Sequence, residues 1–599
     1  MAEQVSAPAG VAVGAGASPA TVCDAFLRTV DRARDRPALR VLDGVELSWG
    51  EYADQVRQVA AFLADRGIGR GDVVALLLTN RPEFHVLDLA ALFLGATPVS
   101  LYNTAPAEQL AHVVQDTGAR LLVTEEALAE QAERLRDTGQ IGGDQLIVVD
   151  RGSFWSVLLG NDRRFDLHAA AARVSPQDLA TLIYTSGTTG PPKGVQVTHA
   201  NMAFMVEATD PVLGIRPDSE IISYLPMAHV AERLCTHYVP IRRGTSVVCC
   251  PSPAEAIAHL GRVRPDWFFA PPRVWEKLRT AITGAIGGLP DAQRESARAA
   301  LDAGLEVVRS RRDGTAVDDA VEDRRRAGLE GAFPAIRQRL GLDRVRVAAV
   351  GAAPCPQEVV EFFHAIGIPL IEGLGMTECS GVVSMNPVER AKPGTVGPPL
   401  PGVEARLAPD AELLVRGPLV TPGYHGRPDA TAEAIDSAGW LSTGDIAQID
   451  EDGYITIVDR KKEIIVNASG KNMSPTLIEG RITTSCPLVA QAFVHGNGRP
   501  YNVALLTLDG DAMRAFAERR GIAGATFGDL VAAPGVLDAV RAGVEQANAT
   551  LSRVEQIKHF AVMPDEWLPG GDELTPTMKL RRRQIVDKHG PVIDGLYGG

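Results

Sequence analysis

The seven cysteines are odd in number, scattered from Cys23 to Cys486, and contain no CxxC pair. Their spacing indicates neither a disulfide framework nor a zinc site, and it fits a reduced, cytoplasmic compartment. No apolar run reaches transmembrane length; the nearest, Val86 to Ala96, is interrupted by Asp88. Net positive charge is also missing. A formal charge of -14 argues against a general nucleic-acid binder, so a polyanionic ligand would need a local positive field. Lysine is scarce beside arginine, which makes each lysine inside a motif more informative. No internal repeat or long low-complexity segment occurs. Residues 1–20, rich in Ala, Gly and Val, lack the basic start and continuous apolar block of a signal peptide. A disordered tail is expected there.

A hydrophobic content of 45% and a charged content of 22% are ordinary for soluble globular protein. A chain of 599 residues is too long for one core, so two or more domains are expected. From about residue 21 helical and strand patterns alternate. Ser48-Trp49-Gly50-Glu51 has the spacing of a capping box. Tyr52, Val56, Val59, Phe62 and Leu63 then recur at helical spacing, which predicts an amphipathic helix over 50–66. Asp72 to Leu78 reads as a buried strand, Asn80 to Leu94 as a helix, and Ala96 to Ser100 as the next strand. Strands separated by helices imply right-handed βαβ units and a mostly parallel sheet.

Residues 275–340 form a charged helical block containing Arg324-Arg325-Arg326, read as a solvated helix face because acids flank it. Glu412 to Arg416 suggests a strand, with more short strands toward Asp459. Beyond Arg460 a shorter α+β pattern begins, with strands at Gln491 to His495 and Tyr501 to Leu508. The expected division is 21–459 and 460–599. The expected fold class is α/β: a large N-terminal domain of doubly wound βαβ subdomains plus a small β-rich subdomain, then a smaller α+β C-terminal domain.

The most informative run is Tyr184 to Gly194, YTSGTTGPPKG. Hydroxyls at Thr185, Ser186, Thr188 and Thr189 stand among Gly187, Gly190 and Gly194, with one cation, Lys193. Glycine lets the backbone approach a polyanion closely, and the amides and hydroxyls of such a loop cradle phosphate oxygens. Apolar, strand-like stretches flank it. A Walker A loop is excluded, because Pro191 and Pro192 separate Gly190 from Lys193 and Gly194 follows. The plain alternative is a polar surface turn.

The order of residues resembles the phosphate-loop signature of the acyl-adenylate-forming, or AMP-binding, superfamily. Further blocks extend the resemblance over about residues 21–588, nearest to bacterial long-chain fatty acyl-CoA synthetases. Tyr224 to Arg233 (YLPMAHVAER) is similar to the segment lining the carboxylate pocket, which implies His229 near the substrate carboxylate; Ala270 to Lys277 (APPRVWEK) is another long-chain-type block. Gly351-Ala352-Ala353-Pro354 resembles the small-residue shelf beside adenine and acyl group. Glu372-Gly373-Leu374-Gly375-Met376-Thr377-Glu378 resembles the nucleotide block, with Thr377 on the α-phosphate and Glu378 on Mg²⁺. Leu374 departs from the family, where an aromatic usually stacks on adenine, a contribution of about 1 kcal/mol.

By the same resemblance Asp445, in Trp440 to Asp445, takes the ribose hydroxyls. The resemblance also implies that Ile457 lies among the nucleotide-binding positions, that Arg460 reaches ribose or phosphate, and that Lys462 is the interdomain hinge about which a mobile C-terminal domain turns. Gly470-Lys471-Asn472 resembles a loop serving the CoA half-reaction. Lys579, in Leu574 to Leu580, matches the lysine that bridges carboxylate and α-phosphate.

The implied function is ATP-dependent conversion of a carboxylic acid, of fatty-acid type, to acyl-AMP and then to a CoA thioester. Mg²⁺ is the implied cofactor, and ATP and CoA are co-substrates. The other implied partners are a small-molecule carboxylate, no nucleic acid and no integral membrane segment. A cytoplasmic monomer or homodimer is expected, with peripheral membrane association left open. Three alternatives stand: an acyl-AMP ligase that does not use CoA, a pathway-specific enzyme activating an aryl acid or an anion such as nitrite, and a non-catalytic nucleotide-binding scaffold.

Overall fold

The computed structural model describes residues 5–6 (backbone only), 20–139, 141–160, 164–185, 191–468, 470–521, 526–575 and 578–598. Ser186 to Gly190, the middle of the hydroxyl–glycine loop, lie outside the described residues, as does nearly all of 1–19. Within that segment, Val5–Ser6 forms a short strand antiparallel to Glu404–Ala405.

The capping box is present: the Ser48 hydroxyl accepts the Glu51 amide and Glu51 accepts the Ser48 amide, starting the helix Trp49–Asp65. Its apolar stripe, Tyr52, Val56, Val59 and Leu63, is buried. The strand Val73–Leu77, the helix Pro82–Phe93 and the strand Thr97–Ser100 follow in order. The two strands pair in parallel, as a crossover helix requires.

Parallel pairing builds much of the large body. One four-stranded sheet runs in the order Thr97–Ser100, Val73–Leu77, Leu121–Thr124, Leu146–Val148. A second contains Glu220–Ser223, Ser246–Cys249, Pro37–Val41 and, antiparallel at its end, Glu46–Ser48. A third contains Trp267–Ala270, Val347–Val350, Leu370–Met376 and Gly381–Met385, with its last strand antiparallel. A five-stranded antiparallel sheet joins Val5–Ser6 to Glu404–Leu407, Glu412–Arg416, Leu441–Ile449 and Ile455–Arg460. The charged block forms helices, among them Asp291–Arg312 and Asp319–Glu330. Arg325 pairs with Glu322 at 2.7 Å on a partly buried side, while Arg326 and Asp323, 3.4 Å apart, lie on the solvated face.

The C-terminal part pairs Val489–His495 with Asn502–Leu508 and, in parallel, Ile557–Val562. Its helices Pro475–Ser485 and Pro534–Thr550 pack on that sheet and its cores. Among the described residues the buried hydrophobic clusters either end by Ile455 or begin at Ile465 or beyond. Among the described residues no helix is long and apolar enough to cross a membrane.

Asp88, the charge that interrupts the apolar helix, is fully buried and paired with Arg233 and with His237 Nε2 at 3.0 Å. An unpaired charge there would be strongly destabilising. Its partners come from the YLPMAHVAER block and the π-helical turn Leu234–Tyr238 that follows it.

Candidate active site

The hairpin Leu179–Thr185/Lys193–Thr198 sets Lys193 opposite Thr185. A Cβ on Gly194 would lie 2.8 Å from the Tyr184 ring, so a side chain is excluded where the hairpin closes. The Tyr184 hydroxyl donates to Asp116 at 2.7 Å, and Asp116 also holds Arg427 at 2.6 Å. Tyr424 lies between these pieces and the nucleotide block. Its hydroxyl donates to Glu378 Oε1 at 2.8 Å, and the Lys193 ammonium sits 5.2 Å from its ring centroid.

Glu378 is placed by a tight glycine hairpin. A Cβ on Gly375 would lie 2.2 Å from the Gly381 carbonyl oxygen, and one on Gly373 3.2 Å from that of Ser384. The strand Leu370–Met376 therefore packs closely on Gly381–Met385 before the 3₁₀ turn Thr377–Cys379 presents Thr377 and Glu378, both half-buried. Gly351 adjoins this block: its Cβ would stand 3.4 Å from the Gly373 carbonyl oxygen. Ala352, next along, takes a left-handed φ of 67°, and Ala353 is exposed. Leu374 is half-buried against the main core. Glu372 is buried, accepts the Gly394 amide at 2.9 Å, and burial pushes its carboxyl up to about 8.

On the antiparallel sheet, Asp445 stands in register with Arg460, and Ile457 with Ala447. Arg460 Nε meets Asp445 Oδ1 at 3.0 Å and its Nη1 donates to the Thr443 carbonyl at 3.0 Å. Burial raises the Asp445 carboxyl, with Arg460 and Lys579 opposing.

Lys579 comes from the far end of the chain. Its backbone is fixed by Thr575, whose hydroxyl accepts the Lys579 amide at 3.0 Å and whose amide donates to the Lys579 carbonyl at 2.9 Å. Its side chain keeps solvent exposure, yet desolvation by the protein around it lowers its ammonium and Arg460 lowers it further, while Asp445, Glu378 and Glu463 oppose. His229 belongs to the same cluster. Burial and then the Lys579 charge lower it to about 4, so its ring is neutral near pH 7. Its Nδ1 accepts the Ala231 amide at 3.1 Å, capping the short helix Val230–Arg233 and fixing the tautomer with the proton on Nε2.

The structure thus gathers Lys193, Glu378, Asp445, Arg460, His229 and Lys579. Lys462 is exposed in the turn after Ile455–Arg460, while its neighbour Lys461 pairs with Asp410 at 2.6 Å and Glu412 at 2.7 Å. Gly470, Lys471 and Asn472 are exposed on the hairpin Ile465–Val466/Asn472–Met473. Among the described residues no hydrogen bond or ion pair joins them to the cluster.

Sequence reasoning missed Tyr424, whose only signal is an aromatic inside the turn-rich Gly423 to Gly426. It also missed that Glu232 and Arg233 are internal pins. Glu232 accepts from Ser223 Oγ at 2.8 Å, the Tyr224 amide at 3.0 Å and Thr236 Oγ1 at 3.0 Å.

The chain matches the AMP-binding enzyme family over residues 26–425 and the AMP-binding enzyme C-terminal domain family over residues 462–599. It belongs to the AMP-binding enzyme family. Among curated proteins it is 46% identical over 437 residues to a putative fatty-acid–CoA ligase, FadD11, of Mycobacterium tuberculosis, covering 72% of this chain and 76% of that protein. It is 33% identical over 620 residues to the long-chain-fatty-acid–CoA ligase FadD15 of Mycobacterium bovis, covering 99% of each. Among solved structures it resembles the adenylation domain of a carboxylate reductase from Mycobacterium chelonae, with TM-score 0.74 at 23% identity over 97% of this chain and 91% of that one. The o-succinylbenzoate CoA synthetase of Bacillus subtilis, in complex with its acyl-adenylate intermediate, gives TM-score 0.68 at 21% identity over 94% and 97%. These likenesses agree on the fold: a large N-terminal domain followed by a small C-terminal one.

Proposed function

We propose that the protein activates a medium- to long-chain fatty acid with ATP, releasing pyrophosphate to give acyl-AMP, and then transfers the acyl group to CoA. What carries this is that Lys579, from the C-terminal part, lies close enough to His229, Glu378, Asp445 and Arg460 of the body for their charges to act on one another. The acyl class is supported by the fatty-acid–CoA ligases that the chain matches over most of its length.

The chemistry is charge management, because a carboxylate must approach the α-phosphorus of a polyanion. Lys579 would bridge the carboxylate and α-phosphate oxygens, and Thr377 would donate to the α-phosphate. Lys193, with Thr185 and the Ser186 to Gly190 loop, would hold the leaving β- and γ-phosphates. Removing one such preorganised donor typically lowers the rate on the order of 100- to 1000-fold. Asp445, with Arg460, would orient the ribose; Gly351 to Ala353, Gly373 to Met376 and Ile457 would flank the base. Neutral His229 would present Nε2–H near the carboxylate without adding a competing charge.

The donor set fits Mg²⁺. Glu378 Oε1 accepts from Tyr424, and among the described residues no hydrogen bond or ion pair engages Oε2, which remains a hard carboxylate oxygen for the ion. When bound, Mg²⁺ would neutralise phosphate charge beside Glu378.

We take the domain division to be 21–459 and 460–599, with Lys462 as pivot. Turning the C-terminal domain about Lys462 would withdraw Lys579 and bring Gly470, Lys471 and Asn472 toward the adenylate for attack by the CoA thiol. A pyrophosphate-release screen over carboxylates from butyrate to stearate, with benzoate and nitrite included and CoA present or absent, tests the assignment. Release only with longer fatty acids, with CoA consumed, is expected. Release driven by benzoate or nitrite alone would overturn the substrate class.

A further inference from the structure

The APPRVWEK block plays no part in the cluster above, yet it is held from outside its own domain. Arg273, at the start of the helix Pro272–Gly287, is ion-paired with Asp509 of the C-terminal part. One turn on, Lys277 lies 3.5 Å from Asp511 and 4.0 Å from Asp509. Asp509 also caps the helix Gly510–Arg520, with Oδ1 accepting the Ala512 amide at 2.9 Å. Its side chain is 9% exposed and that of Arg273 is 21% exposed, so this pair is screened less than an ordinary surface bridge. Arg273 keeps a second acceptor on its own helix, Glu276 at 3.1 Å, which preorients the guanidinium.

A second contact has the opposite polarity. Glu358, on the body helix Gln357–Ala365, pairs with Arg481 of the helix Pro475–Ser485. Beside these, Gly570 approaches so closely that a Cβ there would lie 2.7 Å from the Thr104 carbonyl oxygen. The body thus offers two cations at one point and an acid at another, and the C-terminal part offers the complement. Such a pattern selects one docking orientation, since other orientations bring like charges together. The orientation it selects is the one in which Lys579 reaches the active-site cluster.

We propose that Arg273 and Lys277, with Asp509 and Asp511, form an electrostatic latch that seats the C-terminal domain for adenylation and releases it for thioester formation. They are positioning residues, acting through Lys579 and not on substrate. The inference rests on the two-orientation cycle proposed above. Partly exposed ion pairs suit a contact remade in every turnover, because they add orientation with only modest strength.

The test uses the full-length enzyme with dodecanoate, ATP and CoA, and separately with supplied dodecanoyl-AMP and CoA. Arg273→Ala/Lys277→Ala should slow single-turnover adenylate formation about tenfold, a barrier change of about 1.4 kcal/mol, with KM for ATP nearly unchanged. Thiolysis of dodecanoyl-AMP should be unchanged or faster. Lys277→Glu and Asp511→Lys should each slow adenylation, and their combination should restore it, which a folding defect would not do. Equal loss of both half-reactions, loss of neither, or no rescue by the exchanged pair would overturn the latch. Lys579→Ala run alongside separates the two ideas. If it impairs both half-reactions equally, the two-orientation cycle itself fails; if it separates them and the Arg273/Lys277 variant does not, the latch alone fails.

Discussion

Tyr424 donates its hydroxyl to Glu378 Oε1 at 2.8 Å, and Lys193 lies over the same ring, 5.2 Å from its centroid. One side chain thereby ties the loop cation to the carboxylate proposed to hold Mg²⁺. Hydrogen bonds to charged groups contribute about 1.5–3 kcal/mol. Tyr424→Phe should therefore cut ATP–pyrophosphate exchange roughly tenfold or more and weaken the response to added Mg²⁺, with the ring packing retained. Exchange at the wild-type rate would show that Glu378 needs no such anchor.

Glu372 gives a pH signature in stability. Its folded-state carboxyl stands near 8 against an ordinary value of 4.5. Between these values the folded protein binds more protons than the unfolded chain, so stability falls as pH rises, by up to about 1.4 kcal/mol per pH unit. The contribution is fully present below about 4.5 and lost by about 8. Glu372→Gln should flatten this part of the urea-midpoint profile, and an unchanged slope would remove Glu372 as its source.

Lys579 gives a pH signature in rate. Desolvation by the surrounding protein and then Arg460 lower its ammonium although the side chain keeps solvent exposure, so raising the pH should discharge it before an ordinary lysine. Adenylate formation should then decline on the alkaline side below the ordinary lysine value of about 10.4. Lys579→Arg, slower overall, should lose that alkaline decline. A decline that persists unchanged in the arginine variant would belong to another group.

Two glycines should behave oppositely. A Cβ on Gly375 meets backbone oxygen at 2.2 Å, whereas one on Gly284, inside the helix Pro272–Gly287, meets nothing within 4 Å. Gly375→Ala should destabilise by about 2–3 kcal/mol and displace Glu378. Gly284→Ala should stabilise by about 0.5–1 kcal/mol. Thermal melts of the two variants measure the contrast.

Local signals carried most of the architecture. The Ser48–Glu51 capping box, the apolar stripe behind it and the buried strand Val73–Leu77 are each specified within a few residues. Much of the candidate cluster was also legible, because Glu378, Asp445 and Lys579 lie in long ordered blocks. What stayed hidden depends on partners distant in the chain. Asp88 reads as a flaw in an apolar run until Arg233, 145 residues away, neutralises it. Tyr424 and Glu378 are separated by 46 residues that include three strands, and Arg273 and Asp509 by 236. No local period encodes such pairs; only the folded topology brings them together.

The central claim is that one lysine, carried in by the C-terminal domain, serves the first half-reaction and leaves for the second. Lys579→Ala, assayed by ATP–pyrophosphate exchange with dodecanoate and by CoA thiolysis of supplied dodecanoyl-AMP, tests it most directly. Exchange should fall on the order of 100-fold or more while thiolysis stays near the wild-type rate; equal loss of both, or retention of exchange, would contradict the account.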